Sequence, residues 1–352
     1  MDFRALPKIE LHAHLSGSIS RQCLHEVWLR KKEAGETDLE DPLMVMPEGK
    51  HDYDLKAFFP LFSSYIYHLI SCPWSLSHTT TRVLEDFASD GVVYLELRTT
   101  PRSLPGLSKA EYVQTILDAI SSYHSRSPPP PLRAKLILSV DRRNSLPEAL
   151  EAVSLARTFQ SAGVVGVDLC GDPAAGPIDK FRPAFDQVKK IPGTGVTLHF
   201  AETACSGTGK ELMELLSWKP ERIGHVIHVP RNIRGQIING FASEEAVKGD
   251  EGRKKKMGLE LCLSCNVHAG MISGGFEAHH FGEWWKVEET IIALSTDDVG
   301  VFGSPLSNEY ALVAEHFRLD RTEICALARG AIEVIFGGEE EKERLRGIMW
   351  TE

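Results

Sequence analysis

Ile9-Glu10-Leu11-His12-Ala13-His14-Leu15 alternates apolar and polar side chains along its whole length. Alternation with a period of two is the mark of a strand with two unlike faces. Ile9, Leu11, Ala13 and Leu15 share one face, and Glu10, His12 and His14 share the other. Two imidazoles two residues apart are close enough to hold one metal ion. Taken alone, such a strand is more often a plain half-buried one, so the rest of the chain has to decide.

Further apolar runs recur at residues 92–98, 134–140, 164–169, 196–200, 222–229, 259–265 and 291–295. Between them, residues 109–123, 146–162, 181–190 and 210–216 carry helical spacing. Residues 20–90 are mostly helical in pattern, with Leu24, Val27 and Trp28, then Phe58, Phe62, Tyr65 and His68, then Val83, Leu84 and Phe87. Within that stretch residues 33–50 are polar, contain two prolines and read as loop. Residues 248–256 are a charged run expected to be a solvated insertion.

Eight strands alternating with helices predict an α/β chain folded as a single (β/α)8 TIM-type barrel over residues 1–352. Such a barrel needs about 250 residues. The surplus falls mainly after the first strand, as a helical lid over residues 16–90. A doubly wound open sheet is the alternative, and no Gly-rich phosphate turn follows the first strand to favour it.

The chain has 352 residues, 42% of them hydrophobic, enough for one large core. Its net charge of -10 argues against a general nucleic-acid binder. Seven scattered cysteines, an odd number, fit a reducing compartment rather than a disulfide framework. Residues 1–7 lack a signal-peptide core, and no apolar run reaches the roughly eighteen residues of a membrane span. The expectation is a cytosolic monomer that acts on a small molecule, without nucleic acid or membrane.

In a barrel of this type the active site lies at the carboxyl ends of the strands. Those ends carry His12 and His14, Arg98, Asp141, Gly171, His199 with Glu202, His225, Asn266, and Asp297 with Asp298. Three imidazoles and one carboxylate, from His12, His14, His199 and Asp297, suit one Zn2+ with a water in the open position. Water so bound has a pKa of about 7 and is a hydroxide nucleophile at neutral pH. Glu202 can serve as general acid/base beside the metal if the backbone turns just before it. Gly224 leaves room for a close neighbour, and His225 is placed to orient the water. His228, His279 and His280 read as structural. Cys262 and Cys265 lie among leucines and read as part of a buried strand rather than a metal or redox pair.

His12-Ala13-His14-Leu15, His199-Phe200-Ala201-Glu202, Arg222-Ile223-Gly224-His225 and Ser295-Thr296-Asp297-Asp298 together resemble the adenosine/AMP deaminase family. The likeness spans residues 6–336, with four motifs in the family's order. It implies a zinc-dependent barrel that removes the exocyclic amine of a purine. By position, His12, His14, His199 and Asp297 would hold zinc and Glu202 would be the catalytic acid. Asp298 and His225 would orient the attacking hydroxide, and the Gly171 backbone would meet purine nitrogen 3.

Residues 94–102, 140–143, 279–281 and 306–310 look most like the adenosine deaminase-like branch, the N(6)-methyl-AMP deaminases. That resemblance implies conversion of N(6)-methyl-AMP to IMP and methylamine. It implies substrate contacts from His14, Ser16, Thr99, Thr100, Pro101, Arg102, Asp141, Gly171 and Asp298. The branch has Asn at the position of Ser16. Its substrate-binding His falls on Tyr67, with His68 adjacent. Arg98, Arg102, Arg142 and Arg143 could grip a phosphate, or else form salt bridges within the barrel, Arg98 with Glu96 for example. The rival readings are an adenosine deaminase, another metal hydrolase, and a non-catalytic purine-nucleotide-binding barrel.

Overall fold

The computed structural model describes residues 1–50, 55–239 and 256–352. Eight parallel strands lie in the sheet in the order in which they occur in the chain. They are β1 (Lys8–His14), β2 (Val92–Thr99), β3 (Arg133–Asp141), β4 (Val164–Cys170), β5 (Gly195–Phe200), β6 (Arg222–His225), β7 (Met257–Leu261) and β8 (Thr290–Leu294). Backbone bonds at Asp297 join the end of β8 to β1: the Asp297 N–H donates to the His12 carbonyl (2.8 Å) and the His14 N–H donates to the Asp297 carbonyl (3.0 Å). The barrel is thus closed at its carboxyl end, the (β/α)8 arrangement expected from the alternation of runs.

Local sequence sets the surrounding helices. Ser108 and Ser145 cap the helices Lys109–His124 and Leu146–Thr158, and in each a Glu three residues on reaches back to the cap. This reciprocal pair satisfies backbone donors that the first turn leaves free. Between β1 and β2 lie the helices Arg21–Glu33, Pro42–Val45, Leu55–Leu61 and Pro73–Ser89. The stretch read as loop contains one of them, Pro42–Val45: Pro42 opens it and the Asp41 carboxylate accepts from the Leu43 N–H. Phe62–Ile66 widens to a π-helical turn, a distortion that clusters at functional sites.

Two strands end earlier than their apolar runs. β6 stops at His225 because His225 (φ 64°) and Val226 (φ 50°) are both left-handed. β7 stops at Leu261, and Leu263–His268 is a helix. Cys262 is the residue before that helix and Cys265 lies within it, so the pair is buried but not in a strand. Periodicity cannot separate these cases, because a short apolar run fits a buried strand and a buried helical turn equally. The charged run at 248–256 lies outside the described residues except for Lys256, which is exposed.

The barrel interior is charged but paired. Arg222 bonds Glu96 (2.7 Å) and Glu260 (2.6 Å), and its guanidinium lies 3.7 Å over the Phe336 ring. Gly166 and Gly195 leave the space that this ring fills.

Behind β8, the Glu309 carboxyl faces the Ser264 N–H (3.1 Å) and the hydroxyls of Ser264 and Ser304. Burial pushes its pKa from 4.5 up to about 7 against those donors. The native state therefore keeps a proton that the unfolded chain loses first. Stability falls as pH rises through that window. In denaturant titrations the stability of the parent relative to Glu309→Gln should drop by about 3 kcal/mol between pH 4.5 and pH 7.5.

Candidate active site

The β1 alternation delivers His12 and His14 to the mouth of the barrel, and β5 delivers His199. Their Nε2 atoms meet: His12 to His199 is 3.2 Å and His14 to His199 is 3.1 Å. The Asp297 Oδ1 lies 3.5 Å from His12 Nε2 and 3.2 Å from His14 Nε2. A tetrahedral ion with arms of about 2.0–2.1 Å has edges of roughly 3.3–3.4 Å. The four donors are spaced to fit one, and they form a candidate metal group. The grouping of Cys23, Glu26 and His78 is a poorer fit for a cation, because Arg82 already lies 3.6 Å from Glu26.

The far nitrogens of two of these rings are held by carboxylates that the sequence reading missed. His12 Nδ1 lies 2.6 Å from Glu260 and His199 Nδ1 lies 3.2 Å from Asp168. Such partners fix which nitrogen faces a metal. Their signal was present: Asp168 and Glu260 are single charges inside otherwise apolar strands. Arg98 joins the two, 2.8 Å from Glu260 and 3.3 Å from Asp168. It is fully buried and its charge is met by these two carboxylates, and Glu96 pairs with Arg222 instead of Arg98. Arg142 is likewise buried, against Glu211 (2.7 Å).

Backbone strain aims several of the site's side chains. Ala201 (φ 53°), His225 (φ 64°) and Asp297 (φ 60°) are left-handed non-glycine residues at strand ends, each costing roughly 1–3 kcal/mol. Ala201 supplies the turn that Glu202 needs. Gly224 has no Cβ because one would sit 2.6 Å from the His12 ring; the close neighbour anticipated there is His12. His225 Nε2 lies 3.8 Å from Asp297 Oδ2 and 4.0 Å from Glu202 Oε1. The Cys265 thiol donates to Asp297 Oδ2 (2.9 Å), another contact the sequence did not reveal.

Burial pushes the Glu202 pKa up to about 7, and the charge on Asp297 adds to it. Burial, then the charges of Asp297 and Glu202, raises Asp298 well above the ordinary carboxylate range. Burial opposes ionisation of Asp297, yet the hydrogen bonds from His12 and His14 hold it well below that range. The site thus pairs an ionised carboxylate with carboxyls that keep a proton, a division of labour suited to acid/base chemistry.

Above the four donors opens a cavity of about 560 Å3, within the range of small-molecule sites. His14, Ser16, Tyr67, Glu202 and Asp298 line it, as do Thr99, Thr100, Pro101 and Arg102. Asp141 and Gly171 line it too; Gly171 has φ 96°, and a Cβ there would lie 2.6 Å from Asp141. His68 is exposed, so Tyr67 is the member of that pair on the cavity. The Arg102 guanidinium packs 3.9 Å over the Tyr67 ring and donates to the Ile70 carbonyl (3.1 Å). Arg143 grips Asp141 with two nitrogens (2.8 and 2.6 Å).

Residues 7–350 match the family model described as adenosine deaminase. The chain belongs to the adenosine deaminase family. It is an enzyme, a hydrolytic deaminase. It is 36% identical to the N6-mAMP deaminase of Arabidopsis thaliana, covering 98% of this chain and 96% of that one. It is 34% identical to the N6-Methyl-AMP deaminase of Homo sapiens, over 98% and 92%. Among solved structures, Arabidopsis ADAL complexed with IMP superposes with a TM-score of 0.85 at 33% identity, over 98% and 96% of the two chains. No helix among the described residues is long and apolar enough to cross a membrane.

Arg98 lies between two fully buried carboxylates, Asp168 and Glu260. Replacing it by Leu leaves Asp168 without its arginine and Glu260 with Arg222 alone, and removing one partner of a buried ion network typically costs about 3–5 kcal/mol. Denaturant titration of Arg98→Leu should show a loss of that size.

Proposed function

We propose that this deaminase converts N6-methyl-AMP to IMP and methylamine, with one Zn2+ held by His12, His14, His199 and Asp297. The observation that carries the reading is a single cavity lined by His14, His199, Asp297, Glu202 and Arg102, three of them sharing the four-donor metal group with the buried His12. The relatives named N6-methyl-AMP deaminase, and the IMP held by the Arabidopsis protein, support the substrate. When bound, zinc supplies Lewis acidity that lowers the pKa of a coordinated water to about 7.

The chain's own residues do the rest. Glu202 gives its proton to purine nitrogen 1, which breaks the ring's aromaticity and opens carbon 6 to attack. His225 Nε2 and Asp298 face the attacking oxygen and orient it. The Gly171 backbone meets nitrogen 3; its positive φ and missing side chain allow the base to come close. Ser16 and Tyr67, with Thr99 to Arg102, hold the ribose phosphate, and Arg102 is the cation for the 5′-phosphate. Arg98 and Arg142 take no part in that contact. The described residues of the 16–90 insertion cover the mouth as a helical lid on one barrel domain, with Phe58, Phe59 and Phe62 facing the cavity.

The test is amine release from N6-methyl-AMP, AMP and adenosine by the zinc-loaded enzyme. N6-methyl-AMP should have the highest kcat/KM; equal or faster turnover of adenosine would refute the nucleotide reading. Glu202→Gln should lower kcat by roughly 10²–10⁴-fold on every substrate, the usual worth of positioned proton transfer. Arg102→Ala should raise KM for the nucleotide by at least tenfold and leave that for the nucleoside within threefold. A charged hydrogen bond of about 1.5–3 kcal/mol supports that size.

A further inference from the structure

Two neighbouring histidines outside the cavity both end on His225. The His225 Nδ1 lies 3.0 Å from one end of the Asn266 side-chain amide. The other end of that amide lies 3.1 Å from His279 Nε2. His279 Nδ1 in turn accepts from the Phe281 backbone N–H at 3.0 Å. His280 reaches the same residue by another route, its Nε2–H donating to the His225 backbone carbonyl at 2.5 Å. All four side chains are buried or half-buried. At the other edge of the His225 ring, Nε2 is buried with no protein hydrogen-bond partner.

The chain of bonds has one fixed end. A backbone N–H can only donate. The nitrogen facing Phe281 must therefore be bare, and the single ring proton of His279 sits on Nε2. That N–H needs an acceptor, and only the carbonyl end of Asn266 is one. An amide exchanges its two ends by a half-turn, and the surrounding network decides which end faces which partner. Leaving the Asn266 oxygen beside His225 would strip both nitrogens of His279 and make it an anion. The amide accordingly turns its oxygen to His279 and its NH2 to His225. His225 Nδ1 then accepts, and its own proton lies on Nε2.

We propose that His279, acting through Asn266, is a positioning residue that fixes His225 as the Nε2–H tautomer, and that His280 pins the same ring through its backbone. The arrangement points one N–H donor into the space between Asp297 Oδ2 and Glu202 Oε1. Those atoms lie 3.8 Å and 4.0 Å from Nε2, distances that leave room for an oxygen between them. The left-handed backbone of His225 (φ 64°) turns its carbonyl to His280. The inference rests on the role given to His225 above. A wrong histidine tautomer is costly in other enzymes, about 10⁴-fold in kcat in a serine-protease triad.

The experiment reads the tautomer directly. Nitrogen NMR of zinc-loaded enzyme labelled with 15N-imidazole histidine, with His225→Gln to assign the ring, should show His225 protonated on Nε2 and bare on Nδ1. In Asn266→Asp the carboxylate accepts from both rings, so the two His225 nitrogens should exchange character. Its kcat should fall by roughly 10²–10⁴-fold, with KM and bound zinc unchanged. His279→Gln, whose amide can accept from Phe281 and still donate to Asn266, should keep the tautomer and a kcat within tenfold of the parent. His279→Met should lose both. A parent His225 protonated on Nδ1 overturns the proposal even if no variant folds, and so does a tautomer that ignores Asn266→Asp. If the tautomer switches while kcat does not, the positioning stands and the catalytic role assigned to His225 falls.

Discussion

The structure turns on one peptide unit. Asp297 closes the barrel, donating to the His12 carbonyl and accepting from the His14 N–H. The same residue sends its carboxylate between those two imidazoles. Closure and site assembly are therefore one event. The first strand and the segment after the last cannot pair in another register without pulling the carboxylate away from the rings, because a one-residue slip turns every side chain to the opposite face. The left-handed backbone at Asp297 costs energy, and the closed barrel around it holds that strain in place.

Beneath this junction the barrel is filled with paired charge rather than hydrocarbon. Asp168 and Glu260 accept from the imidazoles above, Arg98 joins them, and Arg222 ties Glu260 to Glu96. Buried ion pairs of this kind add little net stability, since desolvation offsets attraction. Their effect is geometric. Each carboxylate has its other oxygen or lone pairs occupied, so the rings it holds are fixed before any ligand arrives, which is the preorganisation that metal and acid/base sites require.

The face of the site away from that layer is tuned by strain and burial. Ala201 bends the chain so that Glu202 looks inward, and burial keeps its carboxyl protonated to about pH 7. His225 is aimed by its own left-handed backbone and by the pair that follows β7. The π-helical turn at Phe62–Ile66 leads directly into Tyr67, which sets the ring under Arg102. Irregular backbone accordingly gathers where side chains must leave the directions that regular strands and helices would give them.

Much of this was legible in the residues themselves. The alternation at β1 placed both histidines on one face, the recurring runs predicted the barrel, and the strand ends named His14, Asp141, Gly171, His199, Glu202, Asp297 and Asp298, all of which line the cavity. Pattern failed where two structures share one pattern, at the ends of β6 and β7 and at Pro42–Val45. It also failed to assign partners. Arg98 and Arg142 looked available for phosphate, but Arg98 is held by two carboxylates and Arg142 is buried against one, whereas Tyr67 rather than His68 meets the cavity. Local periodicity, being a property of neighbours, determined the elements and the faces they present. Only the folded barrel decided which charges neutralise each other, which partner each histidine nitrogen meets and which cations line the cavity, because those depend on contacts between residues far apart in the chain.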